Sequence, residues 1–189
     1  MKLILASNSP RRKELLIKAG FDFDIISSDF EENVFCDNPT EVALQFAYGK
    51  AKDVYSKLDN KHNVVVLGAD TVVFLDGKIL GKPDSEIHAI EMLKQLSGNV
   101  HQVVTGYCVY SLNKIERGFV TTEVEFNVLD DKVISLYIDS GLYKGKAGAY
   151  GIQDNFPLVK TYKGSLSNVI GLPIETVAPI IKSFLENNK

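Results

Sequence analysis

The chain has 189 residues, a formal net charge of −3, and 45% hydrophobic against 24% charged residues. That is ordinary globular composition, and it excludes a general binder of nucleic-acid polymers or of anionic membranes, so any affinity for phosphate has to be local. No apolar run approaches the roughly 20 residues of a membrane span, and Cys36, Cys108 and the three histidines lack metal-ligand spacing, which points to a cytoplasmic protein with reduced thiols.

Leu3–Ala6 reads as a short buried strand. Residues 10–19 read as the first helix, with Ser9 as N-cap, Pro10 at the first helical position and Gly20 as the stop. Residues 21–26 form a second candidate strand, and Ser28–Asn38 is acidic and irregular. A second helix is expected from Asn38-Pro39-Thr40, with Thr40 as N-cap, to about Leu58. Val64–Leu67 is a β-branched run, read as a strand buried on both faces that ends in Gly68-Ala69-Asp70-Thr71. Another strand, Val72–Leu75, turns at Asp76-Gly77 into Lys78–Leu80. Gly81-Lys82-Pro83 is a polar turn.

Ser85 caps a helix through Leu96, halted by Ser97-Gly98-Asn99. His101–Leu112 and Arg117–Val128 make two long strands of a meander. Asp130 or Asp131 starts a short helix to about Ser140, and Gly145–Gly151 is not a regular element. Residues 156–162 and 167–170 read as short strand-like or loop segments. Pro173 opens the last helix, through Phe184, with Ile174, Val177, Ile180, Ile181 and Phe184 buried. Interspersed strands and helices without repeat or linker predict the α/β class, a mixed sheet with flanking helices in one domain, residues 1–189.

The start of the first helix is anomalous. Arg11 and Arg12 fill its first turn, against the helix dipole. A negative partner should compensate them, and a phosphate held by backbone N–H groups, Ser7, Ser9 and the guanidinium forks fits. Asp70, at a strand end among small residues, suits a divalent cation or a general base toward water. Glu31 and Glu32 offer further oxygen ligands. Lys50 and Lys82 add two cations around a polyphosphate. The small residues from Ala147 to Gly151 allow close approach of a ligand, Tyr150 is placed to stack or pack, and Gln153 offers a donor and an acceptor to a nucleobase edge. No Walker A loop, dinucleotide fingerprint or nucleophile elbow is present.

Together these stretches resemble the Maf family, also called septum-formation inhibitor-like proteins. The resemblance is carried in order by Ala6-Ser-Asn-Ser-Pro-Arg-Arg12, Glu31-Glu32, Lys50-Ala51, Gly68-Ala-Asp-Thr71, Gly81-Lys-Pro83, Leu96-Ser-Gly98, Lys146-Ala-Gly-Ala-Tyr-Gly-Ile-Gln153 and Gly171-Leu-Pro173. It implies an elongated α/β fold of the Maf/inosine-triphosphatase type, with two lobes around a cleft. It also implies a nucleoside triphosphate pyrophosphatase of the dTTP/UTP branch, using a divalent metal cation (Mg2+ or Mn2+), and a homodimer.

By position, Asp70 matches the general base. Arg11, Thr71 and Gln153 match positions linked to substrate choice, and Ser7, Ser9, Arg12, Glu32, Lys50 and Lys82 match other cleft residues. The expected mechanism has the metal held by Asp70 and Glu32, Asp70 accepting the proton of the attacking water, and Arg11, Arg12, Lys50 and Lys82 stabilising pyrophosphate. The alternative is a nucleotide-sensing regulator of cell division that needs no catalysis. Two departures mark this chain. Asp154 stands where the family has glycine, a place from which it could edge the base pocket or ligate metal, and Gly145 stands where the family often has aspartate.

Overall fold

A computed structural model describes residues 1–33 and 36–186. Val34 and Phe35, within the segment read as irregular, and residues 187–189 lie outside the described residues. The order is β1 (Lys2–Leu5), α1 (Pro10–Lys18), β2 (Asp24–Ile25), α2 (Pro39–Ser56), β3 (Val64–Leu75), β4 (Lys78–Leu80), α3 (Glu86–Leu96), β5 (Val100–Tyr110), β6 (Ile115–Phe126) and α4 (Asp131–Asp139). A 3₁₀ turn (Ala147–Ala149), β7 (Val159–Lys163), α5 (Leu166–Ile170) and α6 (Ile174–Glu186) complete it. Seven strands form one mixed sheet in the order β2-β1-β3-β5-β6-β7, with β4 also paired to β3. β1 runs parallel to β2 and β3, and the remaining pairs are antiparallel.

The main departure from expectation is β3. The two strands read on either side of Gly68-Ala-Asp-Thr71 are one continuous strand, and Asp70 lies inside it, opposite Gly106 of β5. The glycines serve packing rather than a turn. A Cβ on Gly68 would lie 2.2 Å from the Ala47 carbonyl oxygen, and one on Gly106 would lie 2.3 Å from that of Ala43. α2 therefore rests directly on the backbones of β3 and β5, a closeness that only glycine permits.

Smaller differences have local causes. Asn38, not Thr40, caps α2, since its side chain accepts from the Thr40 and Glu41 N–H groups. Residues 167–170 are helical rather than strand-like, because Ser165 caps α5 by accepting from the Asn168 N–H at 3.1 Å. β2 is only two residues long. In α6 the buried positions are Val177, Ile181 and Phe184, with Ile174 and Ile180 only half-buried.

The core divides along the β3–β5 pair. Val73 and Leu75 of β3 and Val103 of β5 pack with α3, α4 and Phe126. Val65 and Leu67 of β3 and Tyr107 and Val109 of β5 pack instead with Leu3, Leu5, Leu16 and α6. Both strands thus belong to two lobes, and Asp70, Thr71 and Thr105 lie at the changeover. Among the described residues no helix is long and apolar enough to cross a membrane.

Candidate active site

A cleft of about 470 Å³ lies at that changeover, within the usual size of small-ligand pockets. β1 ends at Leu5, beside Leu67, while β3 runs on to Leu75. The cleft opens past the carboxyl end of β1, where sites in α/β sheets form. It is lined by Ser7, Ser9, Arg11, Arg12, Glu32, Lys50, Asp70, Thr71, Lys82 and Gln153, all expected from the sequence to act.

Lys50 sits at its centre. It follows a glycine on a helix and is only 8% exposed. Its Nζ lies 2.5 Å from Asp70 Oδ1 and 2.6 Å from Glu32 Oε1. Lys82 Nζ reaches the other oxygen of the same glutamate, Glu32 Oε2, at 2.9 Å. The close approach of α2 at Gly68 brings Lys50 to Asp70. Burial opposes ionisation of Glu32, but Lys50 and Lys82 outweigh it and hold the carboxyl down at about 2. Glu31 does not join; it is exposed and accepts from Asn33 Nδ2.

The arginines find a partial negative charge inside the chain. Arg12 Nε donates to the Gly171 carbonyl at 2.7 Å and Arg11 Nε to that of Ile170 at 3.3 Å. These carbonyls end α5, where helix acceptors lack intrahelical partners and carry the negative pole. Arg12 also donates to Ser7 Oγ at 3.1 Å and to Thr71 Oγ1 at 3.2 Å. Arg12 is buried, and burial lowers its pKa while Asp70 opposes the shift. Arg11 is half-buried; burial lowers its pKa too, opposed by Asp154 and Tyr137. Pro10 occupies the first turn as expected, but the Ser9 hydroxyl makes no capping bond, and the Ser9 N–H donates to Ser7 Oγ instead.

Behind Arg12 runs a hydrogen-bond relay that the sequence did not reveal. Thr71 Oγ1 and Thr105 Oγ1 are 2.9 Å apart, and Thr105 donates to the Asn168 carbonyl at 2.9 Å. The Asn168 amide donates at 2.9 Å each to the Val103 carbonyl and to Thr122 Oγ1. Partners 34 to 65 positions apart carry no local sequence signal. Ser165, which caps α5, is a local signal that could have shown this segment to be ordered.

At the opposite end, the small-residue segment wraps into the 3₁₀ turn. Gly148, at φ +65°, donates its N–H to the Gly81 carbonyl at 3.0 Å, which ties this segment to the turn carrying Lys82. Tyr150 packs rather than stacks. It is buried edge-on against Phe126 and His101, with its hydroxyl 2.7 Å from His101 Nε2. Gln153 is exposed on the cleft wall. The Asp154 carboxylate is engaged by Tyr137 and Lys146, so the metal-ligand role that its position suggested does not fit.

The donor set suits a hard cation. One carboxylate oxygen each of Glu32 and Asp70 converges on a single cationic atom, the Lys50 ammonium. Among the described residues no third His, Cys, Asp or Glu completes a metal cage. Two carboxylates completed by substrate phosphates is a usual arrangement for magnesium.

A family model described as Maf-like protein matches residues 2–184. The chain is 47% identical to a dTTP/UTP pyrophosphatase of Thermococcus gammatolerans, covering 93% of this chain and 92% of that one. It is 45% identical to one from Clostridium kluyveri, covering 92% and 93%. Among solved structures, the Staphylococcus aureus Ham1 protein superposes with a TM-score of 0.56 at 16% identity, covering all of both chains. A nucleoside-triphosphatase, or dITP/XTP pyrophosphatase, from Mycobacterium abscessus gives 0.50 at 15% identity, covering 98% of this chain and 100% of that one. At such identities the likeness speaks to fold alone.

Proposed function

Because the chain belongs to the Maf family, we propose that it is a nucleoside triphosphate pyrophosphatase that hydrolyses dTTP or UTP to the monophosphate and pyrophosphate. The observation that carries this reading is the Glu32–Lys50–Asp70 cluster facing two arginines across one cleft. The names of the relatives at 45–47% identity support the substrate.

A divalent cation, Mg2+ or Mn2+, which Asp70 and Glu32 would hold, supplies charge neutralisation and polarisation of water. Asp70 accepts the proton of the water that attacks the α-phosphorus, while the bond from that phosphorus to the bridging oxygen of pyrophosphate breaks. Lys50 and Lys82 neutralise phosphate oxygens, and Arg11, with only its Nε committed to the Ile170 carbonyl, turns its fork to the leaving group. Arg12 holds Ser7 and Thr71 in place beneath the phosphates. Ser7 and Ser9 line the phosphate end. Gln153 meets the imide edge of thymine or uracil with its paired donor and acceptor. The reading takes residues 1–189 as one domain in the cytoplasm, and the homodimer rests on the family resemblance.

Incubation of the purified protein with dTTP and magnesium, with products resolved by ion exchange, tests the reading. Monophosphate and pyrophosphate are expected. Diphosphate and orthophosphate would make it a γ-phosphatase, and unchanged dTTP would favour the nucleotide-sensing regulator. A sensor has no use for a carboxylate hydrogen-bonded to a phosphate-binding lysine, which is why the enzyme is preferred.

A further inference from the structure

Three side chains beside the base end of the cleft have no part in that mechanism. Asp154 Oδ2 accepts from the Tyr137 hydroxyl at 2.6 Å and from Lys146 Nζ. The Gly151 N–H donates to the Tyr137 oxygen at 3.1 Å. The Lys146 and Asp154 side chains are only 9% and 6% exposed. A buried pair of this kind contributes little net stability, since desolvation offsets its attraction, yet loss of one partner is costly. Burial lowers the Lys146 pKa, and Asp154 acts against that.

The pair closes a loop. Lys146 and Asp154 are its two ends, and the 3₁₀ turn, Tyr150 and Gln153 lie between them. Tyr137 ties the closure to α4, and Gly148 ties it to the Lys82 turn. The fit is tight at Gly151, where a Cβ would lie 2.6 Å from Asp154 Oδ2 and 2.8 Å from Lys146 Nζ. Lys146 also lines the cleft. Without its carboxylate, its ammonium would be an uncommitted cation on the cleft wall.

We propose that Asp154 is a positioning residue for the nucleobase end of the site: by holding Lys146 and Tyr137 it closes residues 146–154 into a fixed loop that presents Gln153 to the base and keeps the Lys146 ammonium off the triphosphate. This rests on the proposed function, since it needs the base to lie at Gln153.

Calorimetric titration with UMP, which carries the base but no pyrophosphate, isolates this end of the site, and steady-state kinetics with UTP complete the test. Asp154→Asn is expected to weaken UMP binding and raise the UTP KM by about tenfold, the worth of one well-placed hydrogen bond, with kcat changed far less. Asp154→Glu should recover most of that affinity. Tyr137→Phe, which keeps the ring in its pocket, should show a smaller loss in the same direction and covers the case of an Asp154 variant that fails to fold. Adding Asp154→Asn to Gln153→Ala should cost no further UMP affinity. Wild-type UMP affinity and KM in both Asp154→Asn and Tyr137→Phe, a fall confined to kcat, or additive losses in the double variant overturn the inference. A wild-type chain that binds neither UMP nor UTP overturns the functional reading itself.

Discussion

Glu32→Gln isolates the charge of one carboxylate in the cleft. The substitution keeps the shape of the side chain and removes its negative charge between Lys50 and Lys82. The native environment lowers the Glu32 pKa from an ordinary 4.5 to about 2. The folded state therefore favours the ionised form, and the stabilisation is complete above the unfolded value and vanishes as pH falls through the folded one. A fall of that size corresponds to about 3 kcal/mol at most, and partial exposure of the side chain brings it to about 1–2 kcal/mol. Urea unfolding followed by circular dichroism at pH steps from 7 to 2.5, read as the difference between the two proteins, measures it. The wild type should be more stable by a constant amount from pH 7 to about 5, and the gap should shrink as pH falls from 4.5 toward about 2. A gap that stays level with pH, or widens in acid, would refute the assignment of Lys50 and Lys82 as the partners of Glu32.

Asp70→Asn should lower kcat with dTTP by about 10²- to 10⁴-fold, the usual range for loss of a general base; near-normal turnover at saturating magnesium removes Asp70 from that role. Thr105→Val leaves Thr71 and the Asn168 carbonyl short of a hydrogen-bond partner, and thermal melts should show a loss of about 1–3 kcal/mol, largely recovered in Thr105→Ser. His101 is held neutral by burial, with its pKa lowered from 6.5 to about 4. The wild type should thus lose up to about 3 kcal/mol as pH falls through that window, as the unfolded chain takes up the proton first. His101→Phe should not share this loss, and identical stability profiles between pH 7 and 4 would show that His101 protonates freely in the folded state.

The elements with local signals were legible. The Pro10 helix start, the Asp76-Gly77 turn and the Ser85 cap stand where the sequence puts them. The candidate site was legible because its residues carry unusual local choices, such as arginines in the first turn of a helix. What stayed hidden depends on contacts across the fold. Gly68 reads as a strand stop, but its role is set by Ala47 on α2. Lys50 is named by the sequence as a cleft cation, but its pairing with both Glu32 and Asp70 depends on the docking of α2. Asp154 reads as an open carboxylate until the loop folds back to bring Lys146 to it and α4 supplies Tyr137. α5 is too short to show periodicity and rests on one serine cap.

The continuity of β3 bears on how the molecule comes apart. Its twelve residues and the facing strand β5 supply core side chains to both lobes, and Asp70 sits in the unbroken ladder between them. Neither lobe can lose its order without stripping the other of a shared strand, so the two melt as one cooperative unit and swing about no hinge at the cleft. Adjustment around a substrate then falls to rim pieces such as the 28–33 segment, while Asp70 stays fixed in the shared ladder.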